Sequence, residues 1–285
     1  MRNEAARFEG DWLALREPVD HAARSAPLAD RLSEWLKGRD RLRIIDLGAG
    51  TGSNLRWLAP HLDAQQDWLL IDHDAVLLDR AREEWAADGP DQPAIRVRTR
   101  RMDLSGLLDD AFDKADLVTA AALFDLVSAD WIESLAGRIA GSGAAALFAL
   151  TVDGRRHFVD ENGRPLDGER DERMEALFNQ HQRRGKGMGE SLGPEAAAVL
   201  PVTLEQAGLD VRVDQSDWRL GAGDARTLAL ALALLDGWMR AAVEQSPGDA
   251  AWIESWHRSR RAQLEKGCIG LVVGHVDVIA LPRSS

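Results

Sequence analysis

Residues 42–52, Leu42-Arg-Ile-Ile-Asp-Leu-Gly-Ala-Gly-Thr-Gly52, run from an apolar segment straight into a cluster of glycines. Leu42 to Leu47 reads as a short β-strand, and Gly48, Gly50 and Gly52 end it in a tight turn. Glycines there let the backbone turn sharply and approach a ligand closely with no Cβ in the way. Beyond the turn a helix is predicted over Ser53 to Leu62, with Pro60 trimming its last turn.

The alternation continues along the chain. Strands are predicted at Trp68 to Asp72, Ile95 to Met102, Ala115 to Ala120 and Ala144 to Leu150, with helices at Ala75 to Ala87 and Ala129 to Ile139. Strands separated by helix-length segments need crossover connections, so the sheet is parallel with helices on both faces. Upstream, residues 1–38 read as helical, with Pro18 and Pro27 as interruptions. Downstream, 151–193 is polar, with a short helix around Glu172 to Gln182, and reads as an insertion or lid. Residues 194–285 carry helix Pro194 to Ala207, strand Leu209 to Gln215, extra helices within 222–266 (Asp224 to Glu244, Asp249 to Lys266) and strand Ile269 to Leu281. A single domain over 1–285 is expected: a helical cap (1–38), a core (40–150), the lid, and a C-terminal part completing the sheet.

The glycine spacing narrows the ligand. Dinucleotide enzymes use GxGxxG, in which a helix N-terminus receives a pyrophosphate. Here the third glycine arrives one residue early, and Asp46 stands two positions before the first. A carboxylate beside a pyrophosphate is unfavourable, whereas beside an ammonium or a water-bridged amine it is expected. This GxGxG pattern resembles motif I of the class I S-adenosylmethionine (SAM) dependent methyltransferases. The resemblance has good motif detail over about residues 40–150; 194–215 and 269–281 match only as topology.

The resemblance implies an α/β fold, a Rossmann-like mixed seven-stranded sheet with helices on both faces, here with helical insertions, in which Leu209 to Gln215 and Ile269 to Leu281 are the last two strands, one of them antiparallel. It implies SAM as cofactor, held by Asp46, Gly48, Ala49, Gly50 and Gly52. Asp72 ends the second strand, where a carboxylate can accept hydrogen bonds from both ribose hydroxyls, and His73 follows it. Asp103 and Leu104, after the third strand, match the position that meets the adenine amino group and a ring nitrogen. Ala120 lines the cofactor at the end of the fourth strand. A preceding helix covers the cofactor in many small-molecule members, so Arg16 or Arg24 could pair with the methionine carboxylate.

Methyl transfer from a sulfonium is an in-line displacement that chiefly requires alignment and, for an oxygen or nitrogen acceptor, removal of a proton. Candidate bases are His157, His181 and Glu190. His275 and Asp277 read as an ordinary pair on an edge strand. The fourth strand ends in Thr119-Ala-Ala-Ala-Leu-Phe124-Asp125, without the Asn-Pro-Pro-Tyr type of signature of enzymes that methylate nucleic-acid amino groups. Phe124 and Asp125 could border the substrate.

Composition bears on the acceptor. Asp and Glu total 47 against 35 Lys and Arg, a net charge of -12 that repels a phosphate backbone. Two local clusters run the other way, Arg96, Arg98, Arg100 and Arg101, and Arg183, Arg184 and Lys186; such runs usually form solvated faces. The single Cys268 excludes an intramolecular disulfide and a cysteine-based zinc cluster, and no metal is expected. The first ten residues lack the apolar core of a signal peptide, and the longest apolar run, Leu228 to Leu235, is too short to span a bilayer, so a cytoplasmic location is expected. That run is apolar on several faces, which suggests deep burial or a contact between subunits. The expectation is a methyltransferase acting on a small molecule. RNA methylation, a noncatalytic SAM-binding regulatory or assembly protein, and an NAD-dependent oxidoreductase are the rivals, the last opposed by the glycine spacing.

Overall fold

The computed structural model describes residues 2–88, 94–104, 112, 114–166, 168–182, 191–221 and 224–283, the side chains of 2–10, 87–88 and 182 excepted. Two helices lead the chain, α1 (Arg2–Ala23) and α2 (Ala26–Leu36). The sequence reading puts an interruption at Pro18, but α1 continues through it. Ion pairs on either side, Arg16 with Asp20 and Glu17 with Arg56, hold that turn in helical form. The break falls instead at Ser25, whose hydroxyl accepts from Leu28 N, with Pro27 in the first turn of α2, where its missing N–H costs nothing.

The core follows as β1 (Arg41–Leu47), α3 (Ser53–Leu58), β2 (Gln65–Asp72), α4 (Ala75–Asp88), β3 (Ile95–Arg101), β4 (Leu117–Ala121), α5 (Ala129–Ser142) and β5 (Ala145–Val159). Then come α6 (Glu169–Gln182), α7 (Ala196–Gln206), β6 (Leu209–Gln215), β7 (Trp218–Gly221), α8 (Ala225–Gln245), α9 (Ala250–Glu265) and β8 (Gly270–Pro282). The sheet order is β3-β2-β1-β4-β5-β8-β6, with β7 also paired to β8. Strands β1 to β5 are parallel, and β8 runs antiparallel to β5, β6 and β7.

Three features depart from the sequence reading. The four-residue β7 makes an eighth strand; Trp218-Arg-Leu-Gly is too short to give a periodic signal. Strand β5 does not stop at Leu150 but continues to Val159, with register shifts around Leu150 and Gly154. His275 and Asp277 are not on an edge: β8 lies between β5 and β6, and both side chains are buried.

Alternating side chains split the core between the two faces of the sheet. Ile45, Phe124, Phe148 and Val278 pack with Ile132, Leu135 and Leu200 of α5 and α7. On the other face Ile44, Trp68, Leu70 and Ile279 pack with Leu32, Leu36 and Leu58 of α2 and α3. A third cluster surrounds the outward continuation of β5, β7 and β8 with Val19, Leu230, Leu235, Trp238, Ile253 and Trp256. Burial in this cluster accounts for the apolar run of α8: Leu230, Ala231 and Leu235 are buried and Leu228, Leu232 and Leu234 pack against the cluster.

Candidate functional site

A cavity of about 290 Å³ lies at the carboxyl ends of β1, β2 and β4, roofed by α1. Its floor is the glycine turn. Gly48 and Gly50 have φ of 64° and 52°, left-handed values that favour glycine. A Cβ on Gly50 would lie 3.5 Å from Leu13 Cδ1 of α1, so the turn is bare backbone under the helix. Asp72 ties the next strand to it: Oδ2 accepts from Gly50 N at 2.9 Å, while Oδ1 accepts from Asp74 N at 2.9 Å and lies 3.0 Å from His73 Nδ1.

Beneath and beside the turn runs a chain of polar groups. Asp46 is fully buried, and burial pushes its carboxyl up to about 7. Its Oδ1 accepts from Asn54 Nδ2 at 2.7 Å; the same amide donates to Thr119 Oγ1 at 2.9 Å. Asn54 Oδ1 in turn accepts from Arg24 Nη1 at 2.8 Å. Arg24 lies over the Trp57 ring at 4.1 Å, and its Nε is 3.4 Å from Asp277 Oδ2. Asp277 also accepts from Ser25 N and Leu150 N, each at 2.9 Å. Above, Asp20 Oδ2 accepts from Arg16 Nε at 2.7 Å, and burial holds this carboxyl above its usual range. His21 Nε2 donates to Ser53 O at 3.1 Å, and burial lowers its pKa. Four side-chain atoms here are buried without a hydrogen-bond partner among the described residues: Arg24 Nε and Nη2, Asp20 Oδ1 and Asp46 Oδ2.

The far wall is apolar and strained. Ala122 and Leu150 both line the cavity with φ of 53° and 55°. Left-handed backbone costs a non-glycine residue roughly 1–2 kcal/mol. Hydrogen bonds over-determine both: Ala122 N donates to Ala149 O at 2.9 Å and Leu150 N to the Asp277 carboxylate. Trp12, Ala121 and Leu126 complete this side.

Of the residues expected to hold the cofactor, Arg24, Gly48, Ala49, Gly50, Asp72 and His73 line the cavity. The rest do not. Asp46 is screened by Asn54 rather than facing a ligand. Gly52 starts α3 and packs on α4, where a Cβ would be 3.3 Å from Ala81 Cβ. Ala120 points into the core, and by strand alternation its neighbour Ala121 lines the cavity instead. Asp103 is exposed after β3 and Leu104 is buried, its carbonyl accepting from Trp131 Nε1 at 2.7 Å; neither reaches the cavity.

Neither of the expected bases among the described residues lines the cavity. His157 sits on the outward part of β5 opposite Val272, and His181 on α6 is 3.3 Å from Glu244 of α8. Glu190 lies outside the described residues, as do Arg183, Arg184 and Lys186. Phe124 is core, its ring tilted against Phe148 with centroids 4.6 Å apart. The sequence reading did not weigh Asn54 or Asp20. Their signals were present: Arg16, Asp20 and Arg24 recur every four residues, an acid between two bases on one helical side, and Asn54 opens the helix after the glycine turn.

Comparison with known proteins agrees with this geometry. A family described as a methyltransferase domain matches residues 44–142. Among solved structures, a candidate methyltransferase from Bacillus halodurans is 13% identical, with 91% of this chain and 100% of that one covered, at a TM-score of 0.52. The YcgJ protein of Bacillus subtilis is 12% identical, with 92% and 100% covered, at 0.50. The cyclopropane synthase MmaA2 from Mycobacterium tuberculosis is 13% identical over 88% and 82%, at 0.47. At such identities the likeness is one of fold. No curated protein matches the chain in sequence.

Proposed function

We propose that the chain is a class I SAM-dependent methyltransferase, a reading supported by the methyltransferase-domain match at residues 44–142, and that it methylates a small molecule in the cavity beneath α1. The carrying observation is that two of the orphaned buried atoms, Arg24 Nη2 and Asp20 Oδ1, belong to residues lining the cavity beside a bare glycine turn. A cationic donor and a carboxylate acceptor suit the two ends of an amino acid, a carboxylate and an ammonium. The residues present therefore fit SAM: Arg24 would hold its carboxylate, Asp20 its ammonium, the turn at Gly48 to Gly50 its thioether chain, and Asp72 its ribose hydroxyls.

Bound there, SAM supplies an electrophilic methyl on a sulfonium. The chain's own work is alignment and exclusion of water. Asn54, fixed by Asp46 and Thr119, orients Arg24. Trp12, Leu13, Leu126 and Leu150 give the site apolar walls, which strengthen the fixed charges around it. A roofed cavity in a chain of net charge -12 favours a small acceptor over nucleic acid. The RNA reading rests on two basic clusters; in the first of them Arg96 and Arg98 help, after the hydrogen-bonded Arg41, to hold the Asp67 carboxyl of the neighbouring strand below its ordinary range.

Calorimetric titration with SAM and S-adenosylhomocysteine tests the cofactor site. Wild type is expected to bind both at micromolar Kd, with Asp72→Ala at least 100-fold weaker. Folded wild type that binds neither would overturn the reading.

A further inference from the structure

Arg16 and Asp20 of α1 and Arg24 just after it all line the cavity, but at different depths. Because β8 runs antiparallel, its lower-numbered residues stand farther beyond the carboxyl ends of the parallel strands. Arg24 faces Asp277, deep in the fold. Arg16 lies over Trp218 at 5.4 Å, and Trp218 packs on His275 at 4.7 Å. That is two strand residues, about 7 Å, farther out. Along the helix, eight residues separate the two arginines by about 12 Å. The outer arginine therefore stands where an acceptor would enter, between the cofactor residues and the outward part of β5 and β8.

Arg16 is built as a held cation with an open edge. Its Nε is engaged by Asp20 and its plane is backed by Trp218, while its Nη groups have no hydrogen-bond partner among the described residues. The side chain is only 16% exposed. His275 beside it is neutral, held down to about 3 by burial and then by the charge of Arg16, so it adds no second positive charge there. The wall facing it, Trp12, Ala121, Ala122, Leu126 and Leu150, offers an anion no partner. A guanidinium held at Nε presents its remaining fork to an oxyanion, a geometry that carboxylate and phosphate share.

From this we infer that the methyl acceptor is an apolar small molecule bearing an anionic group, carboxylate or phosphate, and that Arg16 holds that group and determines specificity. This rests on the methyltransferase reading above. The anion requirement separates acceptors, because a neutral analogue leaves the open edge of a largely enclosed guanidinium without a counter-charge.

The test uses full-length protein saturated with S-adenosylhomocysteine, titrated with phenylacetate, phenyl phosphate and the neutral phenylacetamide. At least one anion is expected to bind at millimolar Kd and tenfold more tightly than the amide. Arg16→Gln should abolish that preference and Arg16→Lys restore part of it; because Arg16 also holds Asp20, S-adenosylhomocysteine affinity is expected to weaken in both, but by less than tenfold. Equal binding of acid and amide, binding of neither anion, or an Arg16→Gln protein that keeps the preference overturns the inference. So does a tenfold loss of S-adenosylhomocysteine affinity in Arg16→Gln, which would assign Arg16 to the cofactor. Should wild type fail to bind S-adenosylhomocysteine, the cofactor reading falls first and this inference with it; binding of S-adenosylhomocysteine without the anion preference leaves the cofactor reading standing.

Discussion

His275 is a buried imidazole whose pKa of about 3 lies well below the ordinary 6.5. Between those values the unfolded chain binds a proton that the native state refuses, so this residue's contribution is present above about pH 6.5 and lost as pH falls toward 3. The limiting slope is about 1.4 kcal/mol per pH unit. His275→Asn, whose amide can replace the Nδ1 donor to Val273 O, should lose this acid sensitivity. Urea midpoints of the two proteins measured from pH 7 to 4 should diverge from the variant's flatter profile; parallel curves would reject the assignment. His21 adds slope of the same sign and Asp46, whose pKa is raised, the opposite, but both are common to the two proteins. At this scale the sequence was readable where backbone geometry demanded a residue type, as at Gly48, Gly50 and Asp72. It was misleading where a polar residue serves another polar residue, because the Asp46–Asn54–Arg24 chain depends on contacts between residues 30 apart.

Elements meet at Asp277. One carboxylate on β8 caps the junction of α1 and α2 through Ser25 N, fixes left-handed Leu150 in β5 and faces Arg24. Asp277→Asn must turn an N–H toward one of two backbone donors and leaves Arg24 without this counter-charge. We expect a loss of about 3 kcal/mol in urea unfolding and at least tenfold weaker S-adenosylhomocysteine binding; unchanged affinity would separate Asp277 from the cofactor site. Gly274 gives a steric counterpart. A Cβ there would fall within 2.9 Å of Arg155 Cβ and closer still to Asp153, so Gly274→Ala should destabilise by a few kcal/mol, read as a lower thermal midpoint. The parallel strands and their helices were legible from periodicity. The outward half of β5 was not, since burial alternates there but the buried positions Gly154 and Arg156 are not apolar, so the sequence carries no two-residue hydrophobic period; pairing with β8 makes it a strand.

Across the whole molecule, a ligand that binds only the folded chain adds stability by mass action. S-adenosylhomocysteine at 100 times its Kd should contribute about 2.7 kcal/mol, a rise in Tm of roughly 5 °C for a chain of this size. A thermal melt without that rise, at a concentration calorimetry shows to be saturating, would mean that the bound state is not the native one. The overall architecture was legible because crossover connections leave few topologies. The position of β8 between β5 and β6 was not legible: the family resemblance implied only that one of the last two strands is antiparallel, and no local pattern in 270–282 specifies its neighbours.

That insertion also sets an order of events in time. Ser25 and Asp277 touch across 252 residues of sequence, and Leu150 and Asp277 across 127. Such distant closures are slow, and they come after local helices and neighbouring parallel strands have formed. During refolding, helical circular dichroism should recover early and S-adenosylhomocysteine binding last, when 270–282 slots into the gap left for it. Until then the nascent protein is a sheet with an open seam, and that seam is where aggregation would begin.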